Sequence, residues 1–308
     1  MERAEEPGPE VGVCVIVNTR SGRKRGQEVA EAIKVRLSAS PEPFTVRLVR
    51  RGRDIRKQTE RAVSEGYRTI VAAGGDGTIS AVASGLVGTD RRLGVLPLGT
   101  FNFVARSLGI PETLEGAVST LLDGHDRFFD VGDVNGRIFL NNASLGLYPA
   151  ILQSRERIYR RWGRSRLAAH WSVLRTIVGF RSGLRLKVTV DGQTRRLRTP
   201  LVFIANNAYQ LEMFGLDGAD LIAGGKFGVF FAPDCGRLDL VTFAIRLARR
   251  QMVAERDFEL LIGSDVLVET KRRRRMIALD GERERMTNPF HFRLRTGALR
   301  VVAPPLSP

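Results

Sequence analysis

The chain has 308 residues, 43% of them hydrophobic and 27% charged, which suits a soluble globular protein with room for two domains and excludes a disordered or fibrous chain. Its 49 basic residues against 33 acidic ones leave a formal charge of +16, which favours an anionic partner (nucleotide, membrane surface or nucleic acid) without choosing among them. Apolar runs such as "LVFIANNA" and "FGVFFAP" fall far short of the ~20 residues of a membrane span, and two cysteines, Cys14 and Cys235, exclude a disulfide framework or a cysteine zinc site.

In chain order, the acidic start "MERAEEPGPE" has no apolar signal core and reads as a short tail on a cytoplasmic protein. "VGVCVIVN" (11–18) is a buried strand, followed by a helix with Val29, Ile33 and Leu37 on its apolar stripe and "ASPEP" as its stop. "FTVRLVR" is a strand and "DIRKQTERAVSEG" a helix ended by Gly66. "RTIVAAGG" is a second buried strand, "TISAVASGLVG" a helix, "RLGVLPLG" a strand and "ETLEGAVSTLLDG" a helix with Leu114, Ala117, Val118, Leu121 and Leu122 on one face. This β-α-β-α rhythm predicts a doubly wound α/β domain with a parallel sheet, over residues 11–131.

After about Phe129 the pattern turns to strands: "RIFLNNASLG", "RLKVTVDGQTRRLRTPLVFIANN", "GKFGVFFAP", "RLDLVTFAI", "DVLVETKRRRRMIALDGE" and "FHFRLRTGALRVVAP". Asp191-Gly192 and Thr296-Gly297 read as hairpin turns. A second domain over 132–300 is therefore expected to be an antiparallel β-sandwich with a helical insertion near 151–180, and the tail 301–308 is free to return to the first domain.

Three polar, glycine-containing loops leave strands at their carboxyl ends: "NTRSG" (18–22), "GGDGT" (74–78) and "PLGTFN" (97–102). That edge of an open α/β sheet is where ligands bind, and glycine loops opening a helix offer backbone N–H groups to phosphate. Asp76 repels a bare phosphate, so it points to a Mg²⁺-nucleotide, whose hard cation takes carboxylate and phosphate oxygens; a plain capped turn is the alternative for this loop. The Walker A ending Gly-Lys-Ser/Thr is absent, and Ser80 stands where the dinucleotide fingerprint needs its last glycine. Asp280-Gly281-Glu282, after the strand "RRRRMIAL", reads in isolation as an ordinary hairpin turn.

Together, "NTRSG", "GGDGT", "PLGTFN" with Ala105-Arg106, and "DGE" (280–282) resemble, in order and spacing, the diacylglycerol kinase catalytic-domain family, the bacterial lipid kinases related to sphingosine kinases. The likeness runs from about residue 11 to 303. It implies an ATP-dependent lipid kinase of phospholipid biosynthesis, with ATP between the two domains and the γ-phosphate passing to a hydroxyl of diacylglycerol or a similar lipid. By the same resemblance Asn18, Thr19, Arg20, Ser21, Gly22, Gly74, Gly75, Gly77, Thr78, Gly99, Thr100 and Asn102 hold the nucleotide. Asp76 joins a water and Mg²⁺ network, and Glu282, supported by Asp280, accepts the hydroxyl's proton.

Three departures from the family pattern stand out: Phe103 replaces a polar residue, Ser80-Ala81 replaces an Asn-Glu pair, and the loop for a structural Mg²⁺ is missing, with Asp234 its weak remaining candidate. They keep open a non-catalytic nucleotide- or membrane-binding relative, and "GGDGT" keeps open an NAD or other small-molecule kinase. Residues 155–166, "RERIYRRWGRSR", hold six arginines against one glutamate with Tyr159 and Trp162, and Leu167, Trp171, Leu174 and Val178 continue at helical spacing. This suits either an anionic membrane surface, met peripherally from the cytoplasmic side, or a solvated basic face over a core stripe. "KRRRR" (271–275) reads as a solvated strand or a phosphate clamp. No nucleic-acid motif accompanies the charge, so no nucleic-acid partner is expected, and a homo-oligomer is left open.

Overall fold

The computed structural model describes residues 12–20, 26–38, 42–162, 171, 173, 175–180, 182–216, 218–249, 251–253 and 256–305, with only the backbone of 155, 157, 159–162, 214 and 248. The N-terminal tail, Ser21, Gly22, Leu167 and Leu174 lie outside the described residues. The chain divides into two compact units, 1–130 with 296–308, and 131–295. Among the described residues no helix is long and apolar enough to cross a membrane.

The first unit is a parallel sheet in the order β2 (Phe44–Val49), β1 (Val13–Asn18), β3 (Thr69–Gly74), β4 (Arg92–Pro97). Strand β3 is buried along its whole length and β1 along all but Asn18, as continuous apolar runs in a sheet covered on both faces must be. The crossovers are helices α1 (Gly26–Leu37), α2 (Gly52–Ser64) and α3 (Asp76–Leu86), followed after β4 by α4 (Phe103–Ser107) and α5 (Leu114–Asp123). Helix α5 starts on Thr113, whose hydroxyl accepts the Gly116 N–H, and Val29, Ile33 and Leu37 of α1 are all buried as the stripe predicts.

The second unit holds an antiparallel sheet in the order β12 (Glu259–Gly263), β11 (Phe227–Phe231), β10 (Leu201–Ala205), β7 (Asn142–Gly146), β14 (Arg274–Leu279), β15 (Glu282–Thr287). A second antiparallel set pairs β13 (Asp265–Thr270) with β8 (Leu184–Val190), and β8 with β9 (Gln193–Thr199) through the predicted Asp191-Gly192 turn. Their inner faces share one core in which Phe139 stacks on Phe227 at 5.8 Å and meets Phe292 edge-on at 6.3 Å. Each such buried ring contributes about 2–3 kcal/mol of transfer free energy. Other strands are β5 (His125–Val134), β6 (Arg137–Phe139) and β16 (Phe290–Ala303), and other helices include α6 (Leu147–Trp162), α7 (Ala208–Phe214), α8 (Ala219–Ala223) and α9 (Arg237–Ala248).

Two local expectations fail. Residues 237–245, read as a strand from their mixed apolar pattern, form helix α9: Gly236 sits at its N-cap and the Asp239 carboxylate accepts the Gly236 N–H at 3.0 Å, so the first turn is closed locally. Thr296-Gly297 is not a turn, because β16 runs through it, with Gly297 at φ +58° donating its N–H to Asp130 Oδ1 at 2.8 Å. Beyond that point Arg300 and Val301 pair in parallel with Arg92 and Leu93 of β4, so the last strand's end extends the first unit's sheet.

Candidate active site

In the first unit Val17, Ala73 and Leu96 lie in one row of the ladder, so β1, β3 and β4 end level at Asn18, Gly74 and Pro97. The three loops that follow therefore open side by side on one sheet edge. Asn18 Nδ2 donates to Thr78 Oγ1 at 2.9 Å, linking the first loop to the first turn of α3, and Asn18 Oδ1 accepts the Arg20 N–H at 3.1 Å. Thr19 donates through its backbone N–H to Val49 O at 3.0 Å, which ties the loop back to β2.

Helix α3 starts on Gly75, extended at φ −89° and ψ −176°, with no side-chain cap. Gly75 O accepts the N–H groups of Thr78 and Ile79, at 2.8 and 3.1 Å. Here the glycines serve close approach: a Cβ on Gly74 would lie 2.4 Å from Thr78 Oγ1, and one on Gly99 would lie 2.6 Å from Gly75 Cα. The loops after β3 and β4 thus pack backbone against backbone. Asp76 is half-buried in the first turn, between Gly75 and Gly77, and Thr78 is buried.

The loop 97–102 is closed by its own asparagine. Asn102 takes the left-handed conformation, φ +51°, which asparagine tolerates better than most residues, and is 3% exposed. Its Oδ1 accepts the Gly99 N–H at 3.0 Å, and its Nδ2 donates to Gly99 O at 3.3 Å and to Glu112 Oε1 at 2.9 Å. Glu112 in turn pairs with Arg106 at 2.7 Å. Thr100 is exposed on the loop, and Phe103 is buried, stacked on the exposed Phe101 at 5.4 Å and 4°.

In the second unit Asp280 and Gly281, at φ +47° and +82°, form the two-residue turn of the β14–β15 hairpin, with Leu279 opposite Glu282. The Asp280 carboxylate accepts three backbone N–H groups, from Leu140 at 2.9 Å, Asn141 at 2.8 Å and Asn142 at 3.1 Å. This aspartate is a clamp on the entry to β7, not a free base. Glu282 differs: it is exposed, and among the described residues its carboxylate has no hydrogen-bond or ion-pair partner. Crowding that strips hydration from the carboxyl is the leading cause of a raised pKa, with the Asp280 and Glu156 charges adding to it. Glu156 on α6 is held by Arg283 at 2.7 Å.

Behind the Asp280 clamp lies a buried amide cluster that no local pattern announces. Asn142 Nδ2 donates to Gln210 Oε1, Asn207 Nδ2 to Asn141 Oδ1, and Asn206 Nδ2 to Leu140 O, each at 2.9 Å. These side chains are all under 8% exposed, so their hydrogen bonds fix the loop that Asp280 also grips. Asp234 instead lies 3.2 Å from Arg198, and among the described residues no group of three or more acidic, histidine or cysteine side chains is gathered to hold a metal.

Residues 12–134 match the model of the diacylglycerol kinase catalytic domain, and 150–303 match that of the YegS C-terminal NAD kinase beta sandwich-like domain, which is half of the chain. Among curated proteins, the diacylglycerol kinases of Staphylococcus aureus (strain bovine RF122 / ET3-1) and Staphylococcus haemolyticus (strain JCSC1435) are each 33% identical to it over 134 residues. That stretch is 43% of this chain and only 42% and 41% of the length of those relatives. The fold is that of a diacylglycerol kinase from Bacillus anthracis str. Sterne, with a TM-score of 0.73 at 22% identity over 96% of this chain and 97% of the other. On these matches the chain belongs to the diacylglycerol kinase catalytic-domain family.

Proposed function

We propose that the chain is an ATP-dependent lipid kinase, transferring the γ-phosphate of ATP to a hydroxyl of diacylglycerol or a similar lipid, and that it works peripherally at an anionic membrane face. The observation that carries this reading is the close packing of Gly75 against Gly99 at the level carboxyl ends of β3 and β4. Bare backbone at a helix start and beside it suits the oxygens of a nucleotide's phosphates. Asn18, Thr19, Arg20, Gly74, Gly75, Gly77, Thr78, Gly99, Thr100 and Asn102 are the proposed nucleotide residues, with Ser21 and Gly22 of the same motif outside the described residues.

Asp76 offers a hard carboxylate oxygen beside that backbone, which fits a Mg²⁺ arriving with the nucleotide, not a cage made wholly of protein groups. When bound, the ion supplies charge neutralisation across the β- and γ-phosphates. The acceptor hydroxyl's oxygen bonds to the γ-phosphorus, the bond from that phosphorus to the bridging oxygen of the ADP leaving group breaks, and the hydroxyl proton goes to Glu282. A raised pKa and a carboxylate unpartnered among the described residues make Glu282 a better proton acceptor than Asp280, whose lone pairs are engaged by three N–H groups.

The test incubates the protein with γ-labelled ATP, Mg²⁺ and mixed lipids and extracts with organic solvent. The expected outcome is label in the organic phase that falls by about 10²–10⁴-fold in Glu282→Gln. Label confined to water would assign a small-molecule kinase instead, and tight ATP binding with no turnover would assign a non-catalytic relative.

A further inference from the structure

The second unit contains an open cavity of about 770 Å³ where β7 ends and α6 begins. Gly146 makes this corner: at φ +93° it turns the chain so that the Leu147 N–H donates to Pro200 O at 2.9 Å, and a Cβ there would lie 2.2 Å from the same oxygen. One wall is apolar, from Leu147, Phe180 and Met276 among others, and the rim carries Arg272, Arg274, Arg275 and Arg285. Among the described residues no acidic one lines it.

The hairpin register explains why Arg274 and Arg285 converge. Met276 lies directly across from Arg285, and Arg274 shares its face two residues earlier, so two guanidinium groups flank one exposed apolar side chain. Neighbouring arginines of this unit are neutralised: Arg195 by Glu259, Arg198 by Asp234 and Arg283 by Glu156. Among the described residues, Arg272, Arg274, Arg275 and Arg285 have no carboxylate within ion-pair distance, and the half-buried Arg275 keeps its Nε out of water with no acceptor. Burial, then the charge of Arg272, lowers the Arg275 pKa, the direction expected of a cation waiting for an anion. A smaller cavity of about 300 Å³ shares Arg272 and Arg275 and adds Arg185 and Lys271.

The segment lining the cavity also carries exposed apolar residues. Trp171 and Val178 are each 59% exposed, close in sequence to the lining residues Thr176, Gly179 and Phe180. Arg237 Nε donates to Phe180 O at 2.8 Å, which brings in Leu238, 83% exposed at the start of α9. Large apolar side chains held in water beside a basic, apolar-walled cavity fit a membrane-facing mouth.

We infer that this cavity binds a single phosphorylated lipid, its phosphate held by Arg272, Arg274, Arg275 and Arg285 and an acyl chain laid along the Leu147, Phe180 and Met276 wall. Guanidinium forks match phosphate oxygens two at a time, and the wall supplies the area that an inorganic ion cannot use. The inference deepens the lipid reading of this chain, but it concerns binding and needs no phosphoryl transfer.

Titration calorimetry without nucleotide tests it, using dihexanoyl phosphatidate below its micelle concentration, dihexanoyl phosphatidylcholine and inorganic phosphate. Phosphatidate is expected to bind tightest of the three, and Arg274→Ala with Arg285→Ala, both exposed positions, to weaken it by about a hundredfold. Arg196→Ala with Arg293→Ala removes the same charge from exposed positions outside the lining and should leave the affinity within about twofold. Met276→Asp should weaken phosphatidate and leave inorganic phosphate unchanged. Absence of phosphatidate binding, equal binding of phosphate or of phosphatidylcholine, or an equal loss in the control pair would each overturn the inference. Because nucleotide is absent, a failure here leaves the transfer reading intact, and a failure of transfer leaves this result standing.

Discussion

The glycine loops of the first unit and the Asp280-Gly281-Glu282 hairpin of the second both use glycine, for opposite ends. In the first unit glycine removes side chains so that backbones can meet, as Gly75 and Gly99 do. In the second unit Asp280 and Gly281 take left-handed conformations so that two carboxylates two residues apart face different surroundings. One is held by three N–H donors, and the other has no partner among the described residues and a raised pKa. A backbone site tolerates almost no added atom, whereas a side-chain site tolerates changes of shape and fails on changes of charge.

Gly99→Ala should break the first half of that contrast most severely. A Cβ 2.6 Å from Gly75 Cα and 2.7 Å from Asn102 Oδ1 forces two backbones apart, costing about 3 kcal/mol in urea unfolding and weakening ATP binding with it. Asp280→Asn keeps the shape and the left-handed turn while removing the charge that three N–H groups point at. We expect a loss of about 2 kcal/mol in the same measurement, with the hairpin still formed.

Glu282→Gln has the smallest effect on stability, and the opposite sign. Its folded pKa lies above the unfolded value, so the folded state binds that proton more tightly. The disadvantage of the ionised form is therefore absent below the unfolded pKa and complete above the folded one. At neutral pH the glutamine variant should be slightly more stable than the wild type, with the gain vanishing as pH falls to about 4. Equal melting curves at both pH values, or a destabilised variant at neutral pH, would show that Glu282 sits in no such environment. In wild-type protein the transfer rate should rise with pH through a midpoint above the ordinary glutamate value.

Much of the fold was legible because it is local. The fully buried strands "VCVIVN" and "TIVAAG" announce themselves as apolar runs, and the loops after them are marked by glycine and polar residues at the strand ends. What was not legible is assembled from afar. The amide cluster joins Asn141 and Asn142 to Asn206, Asn207 and Gln210, more than sixty residues along the chain, and each asparagine alone looks like turn chemistry. Glu156 facing Glu282 escaped for the same reason. Helix α9 was misread because nine residues of mixed apolar pattern carry little period information, and the capping contact of Asp239 with Gly236 decided the outcome. "KRRRR" was ambiguous until the register set Arg274 and Met276 on one face and Arg275 on the other.

The end of β16 has a consequence for how the protein is made. Strand β4 pairs with β3 on one side, and on the other its parallel neighbour comes from Arg300 and Val301, which emerge from the ribosome after every residue of the second unit. During synthesis the Arg92–Pro97 edge must therefore wait, unpaired, while the intervening chain is completed, exposing for that time a strand edge able to pair with another nascent chain. During the wait that edge carries the guanidinium of Arg92, paired with Asp126, and Arg300 joins the same carboxylate only when β16 arrives.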